Sequence, residues 1–521
     1  MKMPTRTIGE GMAARSAIDS IRAQYDVVSP GAKTKRRNPR IETTSETGST
    51  SAQLPPMQRL QMLNLARDAA RNFSVCRSML KQLALNVVGT EYKLRLKIEH
   101  DGKDPSDPVV QAMNWFNKTW ARTCDFRSDR HLADFNRLLV LSVARDGDVG
   151  MLFDRDMLGT GKLAAYESDQ ICDPKPLPPG VAASDDGVLL DKFGREIGYF
   201  CSPKCGRTTA KLDEGTAFRR DPENEDGNMF KLLRTPWRFR QGRGTSDLFS
   251  TLADMLDIYE MRSKEIQSAK ASASIAGVIK KRNPEGPQLN DARLDPNVTA
   301  ADAANEDVPS ASADPVYYKR LETFTGGMFE YLEGDDEFEL LDPKRPNVNH
   351  AAFAEHVICS AGSAWGMARC YSTMQASTSY TAFRGEMIMT WVTFSWWQKW
   401  LERYVQDWQA VRALRWAMDR GDIPALPAGW EAAMAWQHPR MPSVDPLKDQ
   451  QTFREAVKNG TTSLEHEYGP AWAERIEELG REVEEYAKNG LPHPLFQTAS
   501  GGVIEPSNTN TEDEGNGNEK N

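Results

Sequence analysis

The sequence has no window approaching the ~18 consecutive apolar residues of a membrane-spanning helix, and its start, MKMPTRTIGEGMAARSAIDS, has no apolar signal core. These absences give the expectation of a soluble chain that folds in a cytoplasm. Seven cysteines, an odd number spread over 521 residues, make no disulfide framework and read as reduced interior thiols. Positive charge is also short. A net charge of −9 is the wrong sign for a protein that grips phosphates over its whole surface, so any dealing with DNA is expected to be local or non-adhesive.

Enzyme patterns fail one by one. LGTGKLAA contains GTGK, but Asp156 stands where a phosphate-cradling GxxxxGK[ST] loop needs its first glycine, and Leu163 where it needs a hydroxyl. Cys201 and Cys205 in CSPKC have no second Cys/His pair at zinc spacing. His466-Glu467 lacks the second histidine of a metalloprotease helix, and GSAWG lacks the central serine of a nucleophile elbow. Asp146, Asp148, Asp154 and Asp156 leave one alternative open, a metal-dependent nuclease, beside the plainer reading of a polar turn and a solvated strand end. No catalytic residue, metal or cofactor is expected.

What is present is long and mixed. The chain exceeds the ~250 to 300 residues at which one core stops growing. Residues 1–54 lack a hydrophobic period and read as an arm, with the basic KTKRRNPR (Lys33 to Arg40) as a solvated stretch or a nucleic-acid contact. At the other end PSNTNTEDEGNGNEKN is polar and acidic and cannot bury enough apolar surface to offset its ordering entropy, and residues 491–521 are expected to be a disordered tail. Between them, MQRLQMLNLARDAARNFSVCRSMLKQLALNVVG has helical spacing and stops at Gly89, and YKLRLKI alternates like a strand. DPVVQAMNWFNKTWARTC predicts another helix, and HLADFNRLLVLSVARDGDVGMLF runs from helix to strand across Asp146-Gly147-Asp148. Short strands between Pro/Gly turns follow to about residue 240. This half is α+β.

Ser246 is a good N-cap for a helix read over 247–281, roughly 50 Å long if unbroken. Leu248, Leu252, Met255, Tyr259 and Ile266 fall on one stripe of it, and AKASASIAG ends it with small side chains suited to close helix packing. A shorter helix covers 350–366. Next comes the polar stretch MQASTSYTAF, which passes into a helix whose spacing sets Phe383, Met387, Trp391, Phe394, Trp397, Leu401, Tyr404 and Trp408 on one buried stripe. Trp396 and Trp400 lie on an adjoining face. Near the other end Ser463 is a candidate cap for a helix carrying Trp472, Ile476, Leu479 and Val483, with glutamates crowding its other faces.

Several of these stretches, in this order, resemble the portal proteins of lambda-like tailed bacteriophages. They are LARDAARNFSVCRSMLKQLALNVVGTEYKLRL, FNRLLVLSVARDGDV, RFRQGRGTSDLFSTLADMLDIYEMRSKEIQSAKASASIAGVI, TSYTAFRG and WQHPRMPSVDPLKDQQTFREAVKNGTTSLEHEYG, within roughly residues 55–490. The resemblance implies a largely helical α+β portal fold assembled as a ring, typically of twelve subunits, at one capsid vertex. Its parts would be a wing (55–245), a first stem helix region (246–281), a clip (282–345), a second stem helix (346–366), a tunnel loop (367–380), a long wing helix (381–425) and a crown (426–490).

The same resemblance implies double-stranded DNA passing through a channel during packaging and ejection. Implied partners are the terminase large subunit, major capsid and scaffolding proteins and a head–tail adaptor, with assembly in the host cytoplasm and residence in the virion. Arg369, Ser372, Thr373, Gln375, Ser377, Thr378 and Ser379 are expected in the tunnel loop, where neutral hydroxyls and amides make weak, water-mediated contacts with a sliding duplex. Lys264, Lys270, Lys280, Lys281 and Arg282 are the stem's candidate channel cations, with solvation or pairing to Glu260 and Glu265 as the alternative. Trp396, Trp397 and Trp400 are the candidate subunit interface, with intrachain core as the alternative.

Overall fold

The computed structural model describes Ser51, residues 54–274 apart from short breaks, 278–280, 337–339, 348–464 apart from 377–378, and 472–490. Outside these residues lie Lys33 to Arg40, nearly all of 282–345, Cys205, His466, Ser377, Thr378, Lys281, Arg282 and the end from 491. The chain divides into two compact units: one runs up to Leu252 and resumes at Gly362, and the other is Ala253–Ala361.

In the larger unit, the first helical stretch forms two helices where one was expected. They are α1 (Pro56–Asn72) and α2 (Ser74–Val88), separated at Phe73, whose ψ of 114° is extended. Pro56 opens α1 in the first-turn position where a missing N–H costs nothing, and α2 ends at Gly89 as its sequence predicts. β1 (Leu94–Leu96) buries Leu94 and Leu96 and pairs antiparallel with Met434–Trp436. α3 (Pro108–Asn114) is capped by Asp107, whose carboxylate accepts from Val109 N at 2.8 Å, and continues through a π turn at Trp115–Trp120. α4 (Leu132–Asp146) turns at Gly147 directly into β2 (Asp148–Asp154).

The strands β3 (Lys162–Glu167), β4 (Asp173–Lys175), β5 (Ala183–Asp185), β6 (Val188–Leu190), β7 (Glu196–Cys201), β8 (Thr209–Lys211), β9 (Thr216–Arg219) and β10 (Phe230–Arg234) follow. β2 is the middle strand of an antiparallel β10-β2-β3 sheet, which is why every one of its residues is buried. β5-β6-β7-β9 form a second sheet, and β4 pairs parallel with β8. Leu152, Ile171, Val188, Tyr199, Phe230 and Leu232 make a core shared by the two larger sheets.

Ser246 caps as expected: its hydroxyl oxygen accepts from Leu248 N at 3.0 Å and it donates to Ala144 O at 2.9 Å. What it caps is a 3-10 turn, Asp247–Ser250, ahead of α5 (Leu252–Ser274). The expected unbroken helix over 247–281 is thus shorter. Three β-branched residues and a glycine in IAGVI lower helix propensity where α5 ends. In the smaller unit, β11 (Val278–Lys280) pairs antiparallel with β12 (Glu337–Glu339), and α6 (Val348–Ala364) closes the unit. Lys280 therefore sits on a strand and not on a stem helix. Tyr259 and Ile266, expected on a packing stripe of α5, are exposed in the single chain, as are Lys264 and Lys270.

The larger unit resumes with α7 (Arg369–Thr373), α8 (Tyr380–Leu401), a π turn at Glu402–Gln406 and α9 (Asp407–Arg420). Met387, Phe394, Trp397, Leu401 and Trp408 occupy the predicted buried stripe. Tyr404 does not, because the π turn carries an extra residue and puts Val405 inward in its place. β13 (Met434–Trp436), α10 (Pro446–Lys458) and α11 (Trp472–Lys488) complete the described chain. Of the apolar stripe read on α11, Ile476 and Leu479 are exposed and Trp472 and Val483 are half-buried.

Candidate functional site

The polar stretch ahead of the tryptophan helix is built in two halves. In the first, the end of α6 folds back on itself: Met367 N donates to Gly362 O at 2.9 Å, and Gly366 takes φ 64°. α7 is then fastened to α8. Cys370 N donates to Glu386 Oε2 at 2.8 Å, Ala368 N to Thr390 Oγ1 at 2.9 Å, and Thr393 Oγ1 to Gly366 O at 3.1 Å. The Tyr371 ring meets Phe394 edge-on with centroids 5.2 Å apart. Met374, in left-handed conformation at φ 58°, ends α7. From there Gln375, Ala376 and Ser379 are exposed.

This arrangement corrects several sequence expectations. Ser372 is buried and donates to Met367 O and Ala368 O, both at 3.1 Å, so its hydroxyl faces the protein and not a channel wall. Thr373 spends its hydroxyl on Arg369 O at 2.8 Å, the back-bond that helical threonines form. Both fall inside a short helix, so the span 367–380 is not one continuous loop. Gln375 and Ser379 keep the exposed polar character expected of them, and Arg369 is half-buried at the start of α7.

The mount is rigid for reasons beyond its aromatics. Asn136 and Gln409 exchange two amide hydrogen bonds, at 3.0 and 2.7 Å, and both side chains are fully buried. Gln398 donates to Asn86 O at 2.9 Å and Pro439 O at 3.0 Å, tying α8 to α2. Arg412 donates to Asn228 O at 2.9 Å, with its guanidinium 4.0 Å from the centre of the Trp408 ring. Trp397 and Trp400 are buried within the chain, against the expectation that they meet a neighbouring subunit, because Trp397 stacks edge-on with Trp400 in the helix's inner face. Trp396, one residue away, is 54% exposed.

A buried ionic centre organises the sheet half of the unit, and sequence reasoning missed it. Arg243, fully buried, holds Asp148 through two bonds: Nε to Oδ2 at 2.7 Å and Nη2 to Oδ1 at 2.9 Å. The same guanidinium donates to Asp186 O at 2.6 Å, Ser168 O at 2.9 Å and Ile171 O at 3.1 Å. Ser168 donates to Asp148 Oδ1 at 2.6 Å, and buried Arg59 pairs with Asp186. Burial works to raise the Asp148 carboxyl, but the charge and hydrogen bonds of Arg243 outweigh it and hold the group down at about 2. Gly244 follows Arg243 because its backbone lies against Gly147: a Cβ on Gly244 would stand 1.9 Å from Gly147 O.

This centre also accounts for the aspartates weighed as a nuclease. Asp148 is committed to Arg243, Asp146 accepts from Arg67 and Arg145, and Asp154 accepts from Leu158 N and Thr160 of its own turn. Asp156 is exposed. Among the described residues no three His, Cys, Asp or Glu side chains are grouped to hold a metal ion. The cysteines Cys76 and Cys124 are buried and free, and burial pushes both thiols up to about 12.

A family model described as phage portal protein, lambda family, matches residues 37–398. The chain belongs to that family. As a portal protein it is a structural component of a phage-like virion, and no helix among its described residues is long and apolar enough to cross a membrane. The portal match takes in both halves of the polar stretch, the ionic centre and α8 up to Gln398; the resembling segment that begins WQHPRMPSV lies beyond it. Among curated proteins none is similar enough to count as a match.

Solved structures similar to this portal protein include chains of gene transfer agent particles. One is from the neck of an empty particle computed with C6 symmetry, with TM-score 0.44, 11% identity, and coverage of 83% of this chain and 94% of that one. Others are from the virion of the native particle and from its neck computed with C12 symmetry, each with TM-score 0.46, 12% identity, and coverage of 83% and 93%.

Proposed function

We propose that copies of this portal protein close into a ring, typically of twelve, through which double-stranded DNA is packaged and ejected. Residues 55–245 form the wing, with α8 and α9 as its long helix; α5 and α6 are the stem, the chain between them the clip, and residues 426–490 the crown. The ring docks the terminase large subunit during packaging and a head–tail adaptor afterwards, and is set in its vertex with major capsid and scaffolding proteins. Its part in translocation is structural; the motor's ATP chemistry belongs to terminase.

The observation that carries this reading is that the uncharged Gln375, Ala376 and Ser379 are exposed just beyond α7, which is fastened to α8. A wall against which DNA slides must centre the duplex without neutralising phosphates, since each neutralised phosphate adds affinity that has to be broken as the strand advances. Amide and hydroxyl groups meet that demand through exchangeable water contacts. Arg369 and the exposed Lys264 and Lys270 are the cations offered to passing DNA. The test is packaging in particles that carry portal variants: Gln375→Lys with Ser379→Lys assembles rings but slows or stalls packaging. Normal packaging by that variant removes the slippery-wall reading.

A further inference from the structure

Between β10 and the α8–α9 helix lies an open groove of about 570 Å³. Trp396, Trp400, Tyr404 and Trp408 wall it on the helix side, and Phe230 and Trp237 on the sheet side. Trp237 is 78% exposed, Trp396 and Tyr404 are about half exposed, and Phe239, two residues past Trp237, is fully so. The described residues of one copy leave Trp237, Phe239, Trp396 and Tyr404 open. We infer that the groove and the Trp237–Arg240 rim are the seat of a second copy of this chain; this rests on the ring reading and names the surface that closes the ring.

Charge selects the occupant. The lining carries Arg220, Lys231, Arg234, Lys399 and Arg403, against Glu196 in the lining and Glu402 paired to Lys399 at 2.6 Å. The groove is therefore net basic on a chain of net charge −9, so the remainder of another copy is net acidic. A groove that meets a different face of the next copy makes a head-to-tail contact, the kind that generates closed rings. Exposed tryptophans flanked by arginines supply the apolar anchors and the charged rim of such a contact. Duplex DNA shares the charge preference but would leave Trp237 and Phe239 uncovered, since its outer face is phosphate and sugar.

The test places a photoreactive benzoylphenylalanine at position 239 or 396 of the full chain, with position 193, exposed and outside the groove lining, as a control. Irradiation of purified protein is expected to give a ladder of covalent oligomers from 239 and 396 and monomer from 193. As a second arm, Arg403→Glu, an exposed position, is expected to keep the wild-type melting temperature while raising the protein concentration needed for assembly on the order of tenfold. Wild-type rings whose 239 and 396 positions give no ladder, or cross-link only to added duplex, overturn this inference and leave the ring reading standing. Monomer at every concentration overturns both.

Discussion

Gly362 and Ser372 touch so closely that a methyl group on Gly362 would stand 1.9 Å from the Ser372 hydroxyl oxygen. That approach sets the short helix α7 against the end of α6 and so positions the exposed Met374, Gln375 and Ala376 that follow it. Gly362→Ala is expected to destabilise the protein by about 1–3 kcal/mol through overpacking. Adding Ser372→Gly should recover part of the loss, because residues in contact do not act additively. Urea unfolding of the single and double variants checks this, and additive losses would contradict it.

Arg243 and Asp148 give a larger effect. Arg243→Ala leaves a buried carboxylate without its cation, for a loss of about 3–5 kcal/mol. The pH dependence follows from the depressed folded-state carboxyl at about 2, below its ordinary 3.8. Its contribution is fully present above pH ~4 and is lost as pH falls toward 2. Acid titration of unfolding free energy should show that loss in the parent protein and a shallower one in Asp148→Asn.

Asp247 behaves in the opposite sense. Burial pushes its carboxyl up to about 7 from 3.8, so the folded state binds the proton more tightly than the unfolded chain. Stability is therefore expected to fall as pH rises from about 4 to about 7, by up to about 4 kcal/mol. Asp247→Asn should remove that slope and be more stable than the parent at pH 8 but not at pH 4. Melting curves across this range decide it.

Trp397→Ala and Trp396→Ala separate core from surface. Truncating the buried ring should cost about 3–5 kcal/mol, whereas the exposed one should change single-chain stability by less than about 1 kcal/mol. Equal losses, measured by denaturant unfolding below the assembly concentration, would contradict the placement of the two rings.

Local signals were legible in the sequence. The Gly89 terminator, the Ser246 cap, the alternation of Leu94 and Leu96, and the stripe from Met387 to Leu401 each depend on neighbours a few residues away. Long-range pairings were not. Arg243 lies 95 residues from Asp148, and nothing in QGRG distinguishes a fully buried arginine from a solvated one. A π turn adds one residue without changing composition, so Tyr404 and Val405 exchanged faces unannounced. Ser372 looked like loop because its hydroxyl neighbours are polar; its burial comes from contacts with Gly362 and the fold-back at Gly366. The portal family was legible because it rests on the order of many stretches and not on any one of them.

The ring is the central claim, and electron microscopy of the purified full-length chain tests it most directly. The expected result is ring particles with a central hole and one rotational symmetry, typically twelvefold. A population of single chains at every concentration, unchanged by capsid partners, would contradict it.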